Sequence, residues 1–125
     1  MRIIRKEIPS HILLENAAFL AFLDIRPIKA GHTLVIPKKE TDYLFDMADK
    51  ELGEMMIFSK SVAGMLKKAI PCKKIGVMVA GLEVPHAHVH LVPIDAIADL
   101  NFMNARVASD KELKKLADQI KKFVP

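Results

Sequence analysis

Between His86 and Leu91 the chain alternates strictly: His86, Ala87, His88, Val89, His90, Leu91. Successive side chains of a β-strand point to opposite faces, so residues two apart share a face at a spacing of about 6.5–7 Å. The segment therefore sets three imidazoles on one side of a sheet and Ala87, Val89 and Leu91 on the other. The apolar side needs a core beneath it. The imidazole side needs hydrogen-bond partners, because a polar ring removed from water without them costs free energy. The pattern predicts a strand over 86–93, ended by Pro93.

Three chemistries suit a row of imidazoles. The rings could be solvated surface groups. Alternatively, two of them could present nitrogens to zinc or copper, with Glu83 or His32 recruited as a further ligand, although no cysteine pair supports zinc. Or one ring could attack an electrophilic phosphorus while a neighbour handles the leaving group's proton. A pKa of about 6.5 makes both a neutral nucleophile and a nearby acid available at neutral pH.

The rest of the chain supplies a sheet and two helices. Residues 11–15 and 18–24 are short apolar runs that read as strands around a tight turn at Asn16 and Ala17. Arg26 and Pro27 open a turn that Gly31 closes, and residues 32–36 form a third, β-branched strand. Over 49–70, Leu52, Met55, Met56, Ser59, Val62, Ala63, Leu66 and Ile70 recur at three- and four-residue steps, an amphipathic helix with Asp49 as N-cap and Pro71 past its end. Residues 74–80 read as a fourth strand and a turn follows at Gly81. Residues 110–123 close the chain as a helix with Leu113, Leu116, Ile120 and Phe123 on one side. His11 reads as an exposed residue. The expected fold is α+β, one domain over 1–125, with a five-stranded, mainly antiparallel sheet.

Composition narrows the function. Half the residues are hydrophobic (51%) and 27% are charged, enough apolar material for a core without metal or disulfide staples. One cysteine excludes an internal disulfide and suits a reducing, cytoplasmic setting. The first seven residues are charged rather than leader-like, and no apolar run approaches the roughly 20 residues a membrane helix needs. A net charge of +4 mildly favours an anionic ligand. With no Trp and one Tyr, though, there is no interleaving of cations with aromatics to suggest nucleic acid.

The stretch Val84-Pro85-His86-Ala87-His88-Val89-His90-Leu91-Val92-Pro93 resembles the His-x-His-x-His signature of the histidine-triad (HIT) superfamily. Glu7-Ile8-Pro9-Ser10, Ala21-Phe22-Leu23-Asp24-Ile25 and Gly31-His32-Thr33-Leu34-Val35-Ile36-Pro37-Lys38-Lys39 are similar to segments of its Hint-like branch, in order, over roughly residues 3–93. The resemblance implies the HIT-like fold, with one long central helix and a C-terminal helix. It also implies action at the α-phosphate of a purine nucleotide or nucleoside phosphoramidate, with no cofactor and no metal. By the same resemblance His88 is the nucleophile that forms a nucleotidyl-histidine intermediate, His90 contacts the phosphate and assists the leaving group, and His86 orients His88. His32 matches a further family histidine near the site. Asp24 matches the residue that holds the ribose hydroxyls, and Phe22 and Ile25 match residues that line the base pocket. The resemblance further implies a homodimer in which two sheets join, with helix 49–70 a plausible contact element.

Departures from the family pattern bear on activity. Leu82 stands where many Hint-like proteins carry a phosphate-binding Gln, Glu83 stands where they carry a hydroxyl, and no equivalent of their preceding Asn is found. Lost phosphate donors weaken transition-state stabilisation, each by roughly 3–4 kcal/mol. Backbone N–H groups of residues 82–84 are possible replacements, and Glu83 could accept from an amine leaving group. These departures leave open a nucleotide-binding regulatory module with weak turnover. The CxxC of zinc-containing members is absent, as is an N-terminal aromatic residue that helps enclose the base, which predicts altered nucleoside preference.

Overall fold

A computed structural model describes residues 11–80 and 86–125. Five strands, β1 (Ile12–Glu15), β2 (Phe19–Leu23), β3 (Thr33–Pro37), β4 (Lys74–Met78) and β5 (Val89–Ile94), form one antiparallel sheet in the order β1-β2-β3-β5-β4. Helix α1 (Asp49–Ala69) links β3 to β4, and α2 (Asp110–Lys121) follows β5. This is the expected α+β arrangement. Among the described residues no helix is long and apolar enough to cross a membrane.

Alternation along the strands divides the sheet into two faces. Phe19, Ala21, Leu23, Val35, Val89 and Leu91 join the main core with Met55, Phe58, Val62, Met65 and Leu66 of α1 and Leu113, Ala117 and Ile120 of α2. Leu20, Phe22 and Ile36 form a separate apolar cluster with Ile12 and Leu34 on the other face. β1 serves both faces through an irregularity at Leu13. Ile12 pairs with Phe22 and Leu14 with the adjacent Ala21, so Leu13 is an extra residue that reaches the main core. Asn16 shapes the β1–β2 turn: its Oδ1 accepts from the N–H groups of Ala18 and Phe19, at 2.9 and 2.7 Å.

Several expected boundaries move. β5 begins at Val89, so His86 and His88 precede the strand. The cause lies in β3, where Pro37 has no N–H for a ladder and its carbonyl is taken by the His86 ring. Ala87 N–H turns instead to the Thr41 carbonyl at 2.6 Å. β2 stops at Leu23 and β4 at Met78. The buried stripe of α1 is Met55, Phe58, Ser59, Val62, Met65, Leu66 and Ala69, whereas Met56 is half exposed. The N-cap of α1 is Ala48 rather than Asp49. α2 ends at Lys121, leaving Phe123 partly exposed. His11 is not free in solvent, since its Nε2–H donates to Asp110 Oδ1 at 2.9 Å, tying β1 to α2. The expected turn at Gly81 lies outside the described residues.

Candidate active site

The ladder that builds the sheet also builds the site. On the face away from the helices, Ile12 pairs with Phe22, Phe22 with Leu34, Leu34 with His90 and His90 with Met78. Paired residues share a face, so His90 stands in a cross-strand row that is otherwise apolar. The chain beyond β5 folds back over this face. Phe102 lies edge-on to His90 with ring centroids 5.0 Å apart, and Leu100 lies where a side chain at Gly76 would stand. Sequence reasoning missed Phe102; no local pattern announces it, because the contact is made by the return of the chain.

All three triad histidines are buried, which rules out a row of solvated rings. Among the described residues no buried side-chain nitrogen or oxygen lacks a partner. His86 Nε2–H donates to the Pro37 carbonyl at 2.9 Å, and the His86 carbonyl accepts from His88 Nδ1–H at 2.6 Å. In the neutral form of the ring, which carries one proton, this bond leaves the Nε2 of His88 unprotonated. His86 thus orients His88 through its backbone while its own ring is anchored to β3. His88 and His90 meet edge to face, with centroids 4.7 Å apart.

His32 comes into the group at the head of β3. The turn before it is held by His32 N–H to the Lys29 carbonyl and by Asp24 N–H to the His32 carbonyl. At Gly31, φ is +93°, a conformation that favours glycine, and a Cβ there would also press on Ile70 Cδ1. The Ile28 N–H donates to His32 Nδ1 at 3.1 Å, and His32 Nε2–H donates to His90 Nδ1 at 2.9 Å. His90 therefore carries its proton on Nε2. Burial, with the nearby His88 adding to it, lowers the pKa of both His32 and His90 to about 4, so both rings are neutral at pH 7.

Asp24 follows β2 directly. Its Oδ1 accepts the Arg26 N–H at 2.8 Å, a local turn bond, while Oδ2 lies 3.7 Å from His32 Nε2. Desolvation raises its pKa, with the Arg26 N–H and the neighbouring histidines opposing. Asp24, His32 and His90 each offer one donor atom within 4.8 Å of the others. His32 and His90 are hydrogen-bonded to each other at 2.9 Å, and Asp24 Oδ2 stands beside that pair at 3.7 Å without a hydrogen bond to it. Phe22 is buried in the outer apolar cluster, and Ile25 is half exposed. Leu82 and Glu83 lie outside the described residues. A cavity of about 430 Å³ borders Asp24 and His32 on the side of Arg106 and Leu113, and neither His88 nor His90 lines it.

The sequence profile of the HIT domain matches residues 5–97, most of the chain. The chain belongs to the HIT family. An HIT-like protein of Borreliella burgdorferi is 38% identical over 99 residues, covering 74% of this chain and 71% of that one. Adenosine 5'-monophosphoramidase HNT1 of Saccharomyces cerevisiae is 39% identical over 97 residues, covering 74% of this HIT protein and 59% of the yeast enzyme. Among solved structures, a Hit-like protein from Bartonella henselae aligns with a TM-score of 0.86 at 31% identity, over 98% of this chain and 92% of the other.

Proposed function

We propose that this HIT protein is a purine nucleoside phosphoramidase, or a closely related nucleotidyl hydrolase or transferase, that works through a covalent His88 intermediate. One observation carries the reading. His88 is held with Nδ1–H on the His86 carbonyl and Nε2 unprotonated, beside a neutral His90 that carries Nε2–H. The first nitrogen is a nucleophile; the second is a donor for a phosphoryl oxygen or for the leaving nitrogen. Similarity to the yeast adenosine 5'-monophosphoramidase supports the substrate class.

The Nε2 lone pair of His88 bonds to the α-phosphorus, the P–N bond breaks, and the leaving nitrogen, held by the His90 Nε2–H, takes a proton from solvent and departs as an amine. His86 O–Nδ1 hydrogen bonding stabilises the positive charge that the His88 ring acquires. Water then attacks phosphorus, the P–Nε2 bond breaks, and nucleotide and a proton leave. No metal or cofactor enters these steps. Asp24 Oδ2 is the acceptor offered to the ribose hydroxyls, since Oδ1 is engaged in its turn. The exposed surface of Ile25, with buried Phe22 in the apolar cluster on the face of His90, is the apolar surface offered to the base.

The test is release of AMP from an adenosine phosphoramidate, with mass spectrometry of acid-sensitive nucleotidylated protein in rapidly quenched samples. Turnover by the native chain, with neither turnover nor adduct in His88→Ala, supports the reading. Tight binding without AMP release would favour a regulatory module, for which the replacement of the family's phosphate donors by Leu82 and Glu83 speaks. We further propose a cytoplasmic homodimer. Strand β4 is a sheet edge with Val77 exposed, and α1 exposes Met56 and Ile57; light scattering tests the stoichiometry.

A further inference from the structure

A neutral imidazole has two tautomers of similar energy, and they present opposite faces to a phosphate. With Nε2–H outward, the ring donates to a phosphoryl oxygen; with a bare Nε2 outward, its lone pair opposes the same oxygen. Selecting one tautomer therefore matters as much as placing the ring. In water nothing selects it.

Here a chain of donors does. Ile28 N–H has only one direction to donate, into His32 Nδ1, because a peptide nitrogen cannot accept. That bond leaves the His32 proton on Nε2, where it meets His90 Nδ1 at 2.9 Å. The carboxylate beside it, Asp24 Oδ2, lies 3.7 Å from the same nitrogen, beyond hydrogen-bond reach. The turn that presents Ile28 N–H is itself braced, since Arg106 N–H donates to the Pro27 carbonyl and Ala108 N–H to the Ile25 carbonyl.

We infer that His32 is a positioning residue that fixes the proton of His90 on Nε2, and that the order originates in the main-chain N–H of Ile28. The inference rests on the reading of His90 as the group facing phosphate only for its effect on rate; the proton position is a property of the resting protein. His32 itself touches no reacting atom. Its task is to carry a backbone hydrogen-bond polarity across the sheet to His90.

The proton position is read directly by two-bond ¹H–¹⁵N correlation spectra of protein labelled with ¹⁵N-histidine at pH 7, with His90 assigned by the signals lost in His90→Gln. The native chain is expected to show His90 as a single Nε2–H form. In His32→Leu, which fills the space but offers no donor, His90 becomes a mixture of both forms. In His32→Gln the side-chain amide donates in place of Nε2–H and the single form returns. Turnover of adenosine phosphoramidate is expected to follow, with kcat falling about tenfold in His32→Leu, returning to within about threefold in His32→Gln, and KM moving less than kcat.

A native His90 protonated on Nδ1, or a His90 spectrum unchanged by His32→Leu, overturns the inference even if His88→Ala abolishes turnover. Should His32→Leu fail to fold, the native and His32→Gln spectra decide the matter by the same criterion. If the tautomers behave as expected while His88→Ala keeps full turnover, the inference stands and the phosphoramidase reading falls.

Discussion

The two faces of the segment from His88 to Leu91 are both buried and are held in different ways. Val89 and Leu91 are 1% exposed against the helices, and His88 and His90 are 8% and 7% exposed on the opposite face. The apolar side is held by volume: any side chain of the right shape fills it. The imidazole side is held by the direction of each donor, from Ile28 N–H to His32 to His90, and from His88 to the His86 carbonyl. Burial alone therefore says little about tolerance to change. One face should lose stability when altered, the other chemistry.

The sharpest way to break that contrast is His88→Ala. Its kcat/KM for an adenosine phosphoramidate is expected to fall by about 10⁴, or roughly 5.5 kcal/mol, with a change in thermal midpoint of only a few degrees. Next in size is Leu91→Ala, which empties a site in the main core. It should cost about 2–5 kcal/mol in urea unfolding while the folded fraction keeps its kcat. A matching loss of kcat would show that the two faces are not separable.

Acid sharpens the comparison, because of these two faces only the imidazole one carries groups that titrate. His32 and His90 fold with pKa values lowered to about 4 from 6.5, so the unfolded chain binds more protons between those values. Their contribution is fully present above pH 6.5 and is lost as pH falls toward 4, about 3 kcal/mol for one such ring. Asp24, whose pKa is raised, works in the opposite sense and partly offsets the loss as it protonates. Urea titrations at pH 7 and 4.5 measure the slope; a flat profile would mean that neither ring is held neutral. Smaller again is Gly31→Ala, where positive φ and the contact with Ile70 combine to cost about 1–3 kcal/mol in the same assay. Smallest is His11→Ala, which removes a hydrogen bond to the carboxylate of Asp110, an exposed partner, worth at most about 1 kcal/mol.

What could be read from sequence was whatever repeats with a local period. The alternation of His88, Val89, His90 and Leu91 located the strand and both its faces, and β-branched runs marked β3. Longer-range causes stayed hidden. That the strand starts at Val89 depends on Pro37, half a chain away. That Phe58 and Met65 face the core rather than Met56 depends on how α1 is rotated, and apolar residues at 55–58 occupy several sides of the helix. The residue types of the triad were visible, as were those of His32 and Asp24. Their proton positions were not, because these depend on the Ile28 amide and on carbonyls that no side-chain pattern encodes.

The group at the head of that donor chain belongs to the peptide and not to any side chain. Replacing Ile28 with another ordinary amino acid alters packing in the turn but leaves the signal intact, since every residue except proline brings the same N–H. The polarity of the histidine group is thus inherited from the path of the chain, and at buried position 28 the side chain answers to packing while the signal answers to backbone geometry.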